Sequence, residues 1–414
     1  MDERLLRTPA GVRDICGEEF IRKECAERAV KRVMKQYGYL QIKTPTFEYF
    51  DIFNSERGTV SSKDMYKFTD RDGETCVLRP DVTPQIARCV AKYHRNDVLP
   101  VRLFYRADTF INNDGYQGKL KEITQIGAEL VNASGVTADA EMIALMIDCF
   151  LSLGLTEFQI EVGNAEFFKA LTSEAGFSDS ETEELKDLIE AKNLFGVEEL
   201  LSKKNIDNAL KEIFTKLPLQ FGSIDFVREF KKSTENVRAL SALNELEEIY
   251  EKLKVYGKEA YVSFDLGMLT KYEYYTGVVF KAYTHKTGEP IGAGGRYDSL
   301  LAQFGKPASA IGIAIYVDYA IAAMNRQGIQ QKVVHDATLL LYEEGFEDKA
   351  IEVADSLRTD KLKITVLRHD PSISDEEYEA YAHSILAGGI LYIDNTKSIR
   401  IMDLESGETH EKKL

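Results

Sequence analysis

Residues 102–130 read RLFYRADTFINNDGYQGKLKEITQIGAEL, and this stretch decides the kind of fold that the chain can form. Its two halves, extended to VLPVRLFYRADTFI (98–111) and KEITQIGAELV (121–131), are rich in the apolar, aromatic and β-branched residues of strands. The residues between them, 112–120, are mostly polar and predict a loop. The stretch therefore predicts two strands joined by a polar loop.

The residues that precede this pair predict helices and one more strand. Residues 18–37 have helical periodicity, and Gly38 is a typical helix end. Residues 39–48 alternate like a strand that is interrupted by Pro45. Proline cannot donate a hydrogen bond to a sheet, so this strand suits an edge or an interface. Helical periodicity returns at residues 138–153, after the second strand of the pair.

The middle of the chain changes character. From about 175 to 256 the sequence is strongly helical and contains few β-branched residues, which predicts a helical insertion. Strand patterns resume at 260–268, 273–283 and 311–317. Between the last two, IGAGGRYDSLL (291–301) predicts a glycine-rich turn.

A small acidic unit follows at 333–414, where nine lysines and arginines face eighteen aspartates and glutamates. Strand-like and helix-like segments alternate in it, as expected of an α/β domain. The strand-like segments are 337–342, 363–368, 389–394 and 398–403, and the helix-like segment is 346–360. We predict an α+β chain: a core at 1–325 with the helical insertion at about 175–256, then this small domain.

Composition excludes several classes of protein. Lysine and arginine total 52 against 68 aspartates and glutamates, a net charge of −16, which disfavours nucleic acid as a partner. The five cysteines form no CxxC pair, so we expect reduced thiols of a cytoplasmic protein and no metal site. The N-terminus lacks the apolar core of a signal peptide, and no apolar run is long enough to span a bilayer.

Five segments, in this order, resemble the histidyl-tRNA synthetases and their paralogues. They are PAGVRDI (9–15) with YGYLQIKTPTFE (37–48), VLRPDVTPQIAR (77–88), the stretch 102–130, LTKYEYYTGVVF (269–280) with IGAGGRYDSLL (291–301), and AIGIAIYVDYAI (310–321). The resemblance implies a class II aminoacyl-tRNA synthetase-like antiparallel sheet flanked by helices. It also implies a self-dimer, because Pro45 matches the proline of the family's dimer-forming strand.

The resemblance also implies an amino-acid pocket. Asp81 and Thr83 match the residues that hold the amino group of histidine in the family, and a carboxylate beside a hydroxyl suits an ammonium group. The full set of histidine-pocket-like residues is Asp81, Thr83, Gln125, Glu129, Tyr274, Tyr275 and Tyr297. Taken singly, the glutamine and glutamate could be a satisfied polar pair, and the tyrosines could be core residues.

The positions that bind ATP in the family hold other residues in this chain. Three arginine positions that bind or act on ATP in the family hold Ile111, Thr270 and Tyr319, and a fourth holds Lys121. Tyr319 could stack on adenine, but it cannot neutralise phosphate. Charge-assisted hydrogen bonds are worth roughly 1.5–3 kcal/mol each. Their loss predicts a chain with no catalytic residues and no cofactor.

A chain that keeps the residues of the histidine pocket and lacks the arginines that act on ATP resembles one paralogue family, the regulatory subunits of ATP phosphoribosyltransferase. The resemblance implies an allosteric role in the first step of histidine biosynthesis and its feedback regulation by histidine. It also implies a hetero-octamer with the short-form catalytic subunit, and neither tRNA nor membrane as a partner. Histidine could bind the ancestral pocket, which we favour, the subunit interface, or only the partner. The alternatives are an active histidyl-tRNA synthetase and a free-standing amino-acid-binding sensor.

Overall fold

The computed structural model describes residues 3–53, 60–113, 119–219, 221–268, 274–285, 287–331, 333–395 and 397–413. The chain divides into two compact units. The larger unit comprises residues 1–13 and 26–330, and the smaller comprises residues 14–25 and 331–414. None of the helices within these described ranges is both long and apolar enough to cross a membrane.

The helices and strands lie close to the segments predicted for them. The helices are α1 Gly17–Gln36, α2 Thr83–Tyr93, α3 Val136–Ser152, α4 Ala165–Glu174, α5 Asp179–Glu190, α6 Leu194–Ser202, α7 Asn208–Lys216, α8 Ile224–Phe230, α9 Val237–Val255, α10 Val317–Arg326, α11 Glu347–Thr359 and α12 Asp375–Ser384. The strands are β1 Leu40–Gln41, β2 Phe47–Tyr49, β3 Lys67–Thr69, β4 Thr75–Leu78, β5 Val101–Phe110, β6 Glu122–Val131, β7 Phe158–Asn164, β8 Phe221–Gly222, β9 Val262–Asp265, β10 Val278–Thr284, β11 Gly292–Arg296, β12 Ala310–Tyr316, β13 Ala337–Tyr342, β14 Lys363–Arg368, β15 Ala387–Ile393, β16 Ser398–Asp403 and β17 Thr409–Lys413.

A nine-stranded sheet organises the larger unit, with strand order β1-β5-β6-β12-β11-β10-β7-β9-β8. The two strands predicted from residues 102–130 are β5 and β6, which pair antiparallel from Val101 opposite Val131 to Phe110 opposite Glu122. The sheet is antiparallel except at β1–β5 and β7–β9. The α+β class is therefore confirmed, while most of the predicted polar loop, residues 114–118, lies outside the described residues.

One face of the nine-stranded sheet, the back face, packs against helices α3 and α9. α3 is apolar nearly all round and buries residues such as Ile143 and Phe150 between the sheet and α9. Helices α4 to α9 follow β7, and α9 adds Leu243, Leu246 and Ile249 to the same core. A helix that is buried on most of its surface needs this all-round apolar pattern. The core thus fixes the sheet from behind, and a second apolar cluster, which includes Ile86 and Val90 of α2, covers part of the front face.

The turn predicted at 291–301 is wrong for its glycines, which form a strand, and is found only at residues 298–300. Gly292–Arg296 form β11 in the middle of the nine-stranded sheet, paired with β10 and β12. A Cβ on Gly295 would lie 2.5 Å from the Tyr275 ring, and one on Gly294 would lie 2.5 Å from the Gly312 carbonyl oxygen. The glycines let neighbouring groups lie against the sheet, and this long-range need is invisible to local turn propensity.

The strand predicted at 39–48 is broken in two by Pro45. β1 pairs parallel with β5 at the edge of the large sheet, and β2 belongs to a separate three-stranded sheet of order β2-β4-β3. The carbonyl oxygens of Thr44 and Pro45 accept hydrogen bonds from side chains instead of strand partners. A segment that turns away between two sheets satisfies its backbone in this way.

The smaller unit has a five-stranded sheet of order β14-β13-β15-β16-β17. Its first three strands are parallel and the last two are antiparallel to their neighbours. α11 packs on one face through Ala350 and Ala354, and α12 on the other through Tyr378 and Ala382. Our prediction did not include α12 or β17. α12 buries only two side chains, so its apolar stripe is weak.

Candidate functional site

A pocket of about 340 Å³ lies on the front face of the nine-stranded sheet, the face that packs against α2. Strands β6, β11 and β12 form its floor, and residues 80–83 and 274–275 form part of its wall. Of the predicted histidine-pocket-like residues, the walls include Asp81, Thr83, Gln125, Tyr274, Tyr275 and Tyr297. The structure thus brings together residues that are up to 216 positions apart in the sequence.

Glu129, the remaining predicted residue, lies beneath the inner end of the pocket and is only 1% exposed. The Thr83 hydroxyl donates to its Oε1 at 2.8 Å, and the Tyr297 hydroxyl donates to its Oε2 at 2.5 Å. A Cβ on Gly312, which lies opposite Glu129 in the sheet, would overlap this carboxylate. The carboxylate therefore has room only because position 312 has no side chain.

Burial raises the pKa of Glu129 to about 8. The hydrogen bonds from Tyr297 and Thr83 act in the opposite direction, and the nearby Asp81 adds to the rise. An ionised carboxylate in a low-dielectric site is costly unless a cation or several donors accompany it. The inner end of the pocket is consequently prepared to receive a ligand that has a positive charge or N–H donors.

The raised pKa of Glu129 predicts a stability that depends on pH. Between pH 4.5 and pH 8 the unfolded chain ionises this carboxyl before the folded chain does, so stability falls as pH rises through that range. The slope for one such group is about 1.4 kcal/mol per pH unit at most. Glu129→Gln should flatten the fall, as measured by urea unfolding at pH 5, 6.5 and 8.

A matched variant separates this effect from a general loss of carboxylates. Glu199→Gln changes an exposed side chain on α6 and should keep the pH profile of the unmodified chain. The stability of Glu129→Gln should still fall somewhat as pH rises, because burial also raises the pKa of Asp139, to about 6. Parallel profiles for the unmodified chain and Glu129→Gln would contradict the assignment.

The outer end of the pocket, away from Glu129, combines apolar and polar side chains. Ile111 and Tyr319, two of the predicted lost ATP-site positions, line it together with Val60, Ile123 and Pro290. Thr270, the third such position, lies outside the described residues. Phe110, which precedes Ile111, pairs with Glu122 of β6. Glu122 is seven residues along β6 from Glu129, so the outer end is far from the buried carboxylate.

Positive charge is scarce around the pocket. Within the described part of its lining, Lys119 is the only lysine or arginine, and its ammonium lies 2.8 Å from Glu289. Lys121, at the fourth altered position, donates to the Asn112 side chain at 3.2 Å. A triphosphate would therefore meet one cation whose charge already faces a carboxylate. The described residues also contain no group of three or more metal-ligating side chains.

Arg79 positions one wall of the pocket, and the sequence analysis did not single it out. Its guanidinium is buried and donates to the carbonyl oxygens of Asp108, Thr44 and Pro45 at 2.7, 3.2 and 3.1 Å. Gln85 also donates to Pro45, at 3.0 Å, and accepts from the Thr44 hydroxyl at 2.9 Å. These bonds fix the segment that carries Asp81 and Thr83. A lone arginine in the apolar run VLRP was the available signal.

Arg296, at the end of β11, supports the opposite wall. It is buried and forms an ion pair with Asp139 of α3 at 2.6 Å, and a second with the half-buried Asp298 at 3.0 Å. Its Nη1 also donates to the Ala133 carbonyl oxygen at 3.1 Å. The neighbouring Tyr297 is thereby held over Glu129. Arg296 does not line the pocket itself, so we assign it the role of holding the wall through Asp139, Asp298 and the Ala133 carbonyl.

Comparison with known proteins gives consistent relatives. A family model described as histidyl-tRNA synthetase matches residues 11–320. The ATP phosphoribosyltransferase regulatory subunit of Ruminiclostridium cellulolyticum is 39% identical over 98% of this chain and 96% of its own length. The protein of the same name from Acetivibrio thermocellus is 37% identical over 99% of this chain and 97% of its own length.

Solved structures agree with these relatives. A protein from Bacillus halodurans, described as an ATP phosphoribosyltransferase regulatory subunit/histidyl-tRNA synthetase, superposes with a TM-score of 0.83 at 29% identity, over 95% of this chain and 99% of that one. Histidyl-tRNA synthetase from a Nostoc species superposes with a TM-score of 0.79 at 20% identity, over 98% and 96%. The second likeness shows the class II synthetase fold alone.

Proposed function

The chain belongs to the histidyl-tRNA synthetase-like family of ATP phosphoribosyltransferase regulatory subunits, and we propose that it binds L-histidine in the sheet pocket without activating it. Its place is in histidine biosynthesis, and its partner is a separate catalytic subunit. In the proposal, occupancy of the pocket changes the turnover of that partner, which is feedback inhibition by the end product.

One observation supports histidine binding above all: the contact of Thr83, Glu129 and Tyr297 at the inner end of the pocket. Carboxylate, amide and hydroxyl groups line the pocket, and they include Asp81 and, four residues along β6 from Glu129, Gln125. Histidine has an ammonium group and an imidazole, so it supplies the N–H donors that such groups accept. A cationic group beside Glu129 would also lower the pKa of that carboxyl and favour its ionised form.

The outer end of the pocket supports the proposal that the chain does not catalyse adenylate formation. Adenylate formation concentrates negative charge on phosphate oxygens, and enzymes stabilise it with preorganised cations and donors. Here Ile111 and Tyr319 offer no positive charge, and Lys119 faces Glu289. Histidine bound at the inner end would therefore remain unreacted, as a regulatory ligand must.

Coupling to the partner requires that histidine binds two assembled states with different affinity. The bonds from Arg79 and Gln85 connect the pocket wall to Thr44 and Pro45, the segment that matches the family's dimer-forming strand. We infer that a shift of the wall on binding reaches a subunit interface by this short route. The assembly we propose is a hetero-octamer of four chains of each kind, with no tRNA bound because the chain is acidic.

The decisive experiment joins binding to regulation. The pure chain should bind L-histidine in calorimetry, and it should co-purify with the short-form catalytic subunit and raise that subunit's activity. Glu129→Ala should weaken histidine binding and release the complex from feedback. The matched control is Glu289→Ala, which removes a carboxylate at the other end of the same pocket and should leave the histidine affinity unchanged.

The outcomes separate the alternatives. If the pure chain gives no heat with L-histidine and Glu129→Ala leaves feedback intact, histidine acts through the interface or the partner. Binding of histidine without any effect on a catalytic subunit would instead favour a free-standing sensor. Exchange of pyrophosphate into ATP by the pure chain would favour an active synthetase.

A further inference from the structure

The segment 274–277, which includes part of the pocket wall, is held from two sides. On the sheet side, the Thr276 amide donates to the Arg296 carbonyl oxygen at 2.8 Å, and the Thr276 hydroxyl accepts from the Asp298 amide at 3.0 Å. On the other side the segment meets α4, the helix that follows β7 and precedes the helical insertion, α5–α9. The wall therefore connects the end of β11 with α4.

Two backbone carbonyl groups of this segment accept hydrogen bonds from α4. The Ala165 amide, at the start of the helix, donates to the Gly277 carbonyl oxygen at 2.8 Å. One turn further along, the Lys169 ammonium donates to the Tyr275 carbonyl oxygen at 2.8 Å. Tyr275 lines the pocket, and its ring lies against Gly295 of the floor. The same residue thus contacts the pocket floor with its ring and α4 with its backbone.

The helix α4 is in turn packed firmly into the helical insertion. The Phe167 ring meets Phe230 of α8 edge to face, with centroids 5.7 Å apart. The Phe168 ring meets Phe214 of α7 in the same way at 6.4 Å. All four rings are buried. Close-packed interiors are hardly compressible and pass strain on to their neighbours. A movement of α4 is therefore expected to carry the insertion with it.

We propose that Lys169 is a positioning residue, which transmits occupancy of the pocket from the wall at Tyr275 to the helical insertion. A ligand that orders or displaces this wall acts on α4 through the Lys169 hydrogen bond, so the insertion differs between the free and the bound state. Regulation requires such a difference between states. The inference rests on the proposed binding of histidine. It adds a second route to the one through Arg79 and Gln85, which starts from the other wall.

The test is Lys169→Met, which keeps an unbranched apolar stem and removes the ammonium group. Lys169 is exposed, so the midpoint of urea unfolding should stay nearly unchanged. Affinity for L-histidine, measured by calorimetry, should fall about fivefold, which corresponds to the loss of one hydrogen bond that holds the wall. Lys169→Arg keeps a cationic donor and should restore most of the affinity.

Hydrogen exchange separates transmission from simple support of the wall. In the unmodified chain, saturating L-histidine should slow the exchange of backbone amides in the floor strands β6, β11 and β12, and also in α4 and α9. Only amides that exchange by local opening are compared, because a general gain in stability would slow the others everywhere. In Lys169→Met at saturating histidine, the floor strands should still be protected, while α4 and α9 should exchange as they do without ligand.

The matched control is Lys203→Met in α6 of the same insertion, where the ammonium contacts Glu199 at 2.9 Å. This variant should keep both the histidine affinity and the protection of α4 and α9. Equal protection of α4 and α9 in Lys169→Met and the unmodified chain would overturn the inference, and so would protection of the floor strands alone in the unmodified chain. Either result leaves the proposed function intact. Failure of the unmodified chain to bind histidine would overturn the proposed function and this inference with it.

Discussion

Histidine-dependent exchange of pyrophosphate into ATP is expected to be absent from the pure chain. Removal of a single preorganised donor from a transition state lowers the rate by about 100- to 1000-fold. The family resemblance puts Ile111 and Tyr319 at the positions of two such donors, so the combined loss that we expect is about ten-thousandfold or more. The measurement is incorporation of labelled pyrophosphate into ATP with L-histidine present and with it omitted.

An active histidyl-tRNA synthetase assayed in parallel provides the positive control, and calorimetry under the same conditions shows that the pocket is folded. ATP itself should give no heat with the pure chain, because Lys119 is engaged with Glu289. Histidine-dependent exchange within a hundredfold of the synthetase would refute the proposal that this chain is purely regulatory.

Asp139→Ala should cost the chain about 3 kcal/mol of folding free energy, since removing one partner of a buried ion pair leaves the other charge uncompensated. Arg296 would keep Asp298 and the Ala133 carbonyl, so the expected loss lies at the low end of the measured range for such pairs. Because Arg296 precedes Tyr297, histidine affinity should weaken as well. Urea unfolding and calorimetry measure the two effects.

Two further variants make this prediction specific. Glu199→Ala breaks an exposed pair with Lys203 and should leave the unfolding midpoint unchanged. The double variant Asp139→Ala with Arg296→Met removes both buried charges and should recover much of the lost stability. A double variant that is less stable than Asp139→Ala alone would mean that the arginine supports the wall through its other two bonds.

Much of the fold could be predicted from the sequence, because apolar residues recur at short, regular intervals in strands and helices. β5, β6, β13, β14 and β16 lie within a few residues of the segments predicted for them. The errors arose where a distant contact overrides local preference. The glycines of β11 resemble a turn until Tyr275 and Gly312 are seen against them, and Pro45 separates two sheets whose existence no local pattern reveals.

The sequence predicted which residues belong to the candidate site, but it did not predict which of them contact each other. Family resemblance pointed to Thr83, Glu129 and Tyr297, but only the hydrogen bonds of the folded chain show that two hydroxyls meet one carboxylate. Arg79 was missed because an arginine that binds backbone carbonyl oxygens leaves no motif in the sequence. Its role becomes visible only from its hydrogen-bond partners.

The pocket floor also has an evolutionary consequence. Gly127, Gly295 and Gly312 lie within the strands that form the floor, where a glycine weakens a sheet by roughly 0.5–1 kcal/mol relative to alanine. One base change converts a glycine codon into an alanine codon, so drift could easily replace them. Yet an alanine at any of these positions would collide with Tyr105, Tyr275 or Glu129. Loss of the pocket would require compensating changes in its walls, which makes the cavity difficult to fill one mutation at a time.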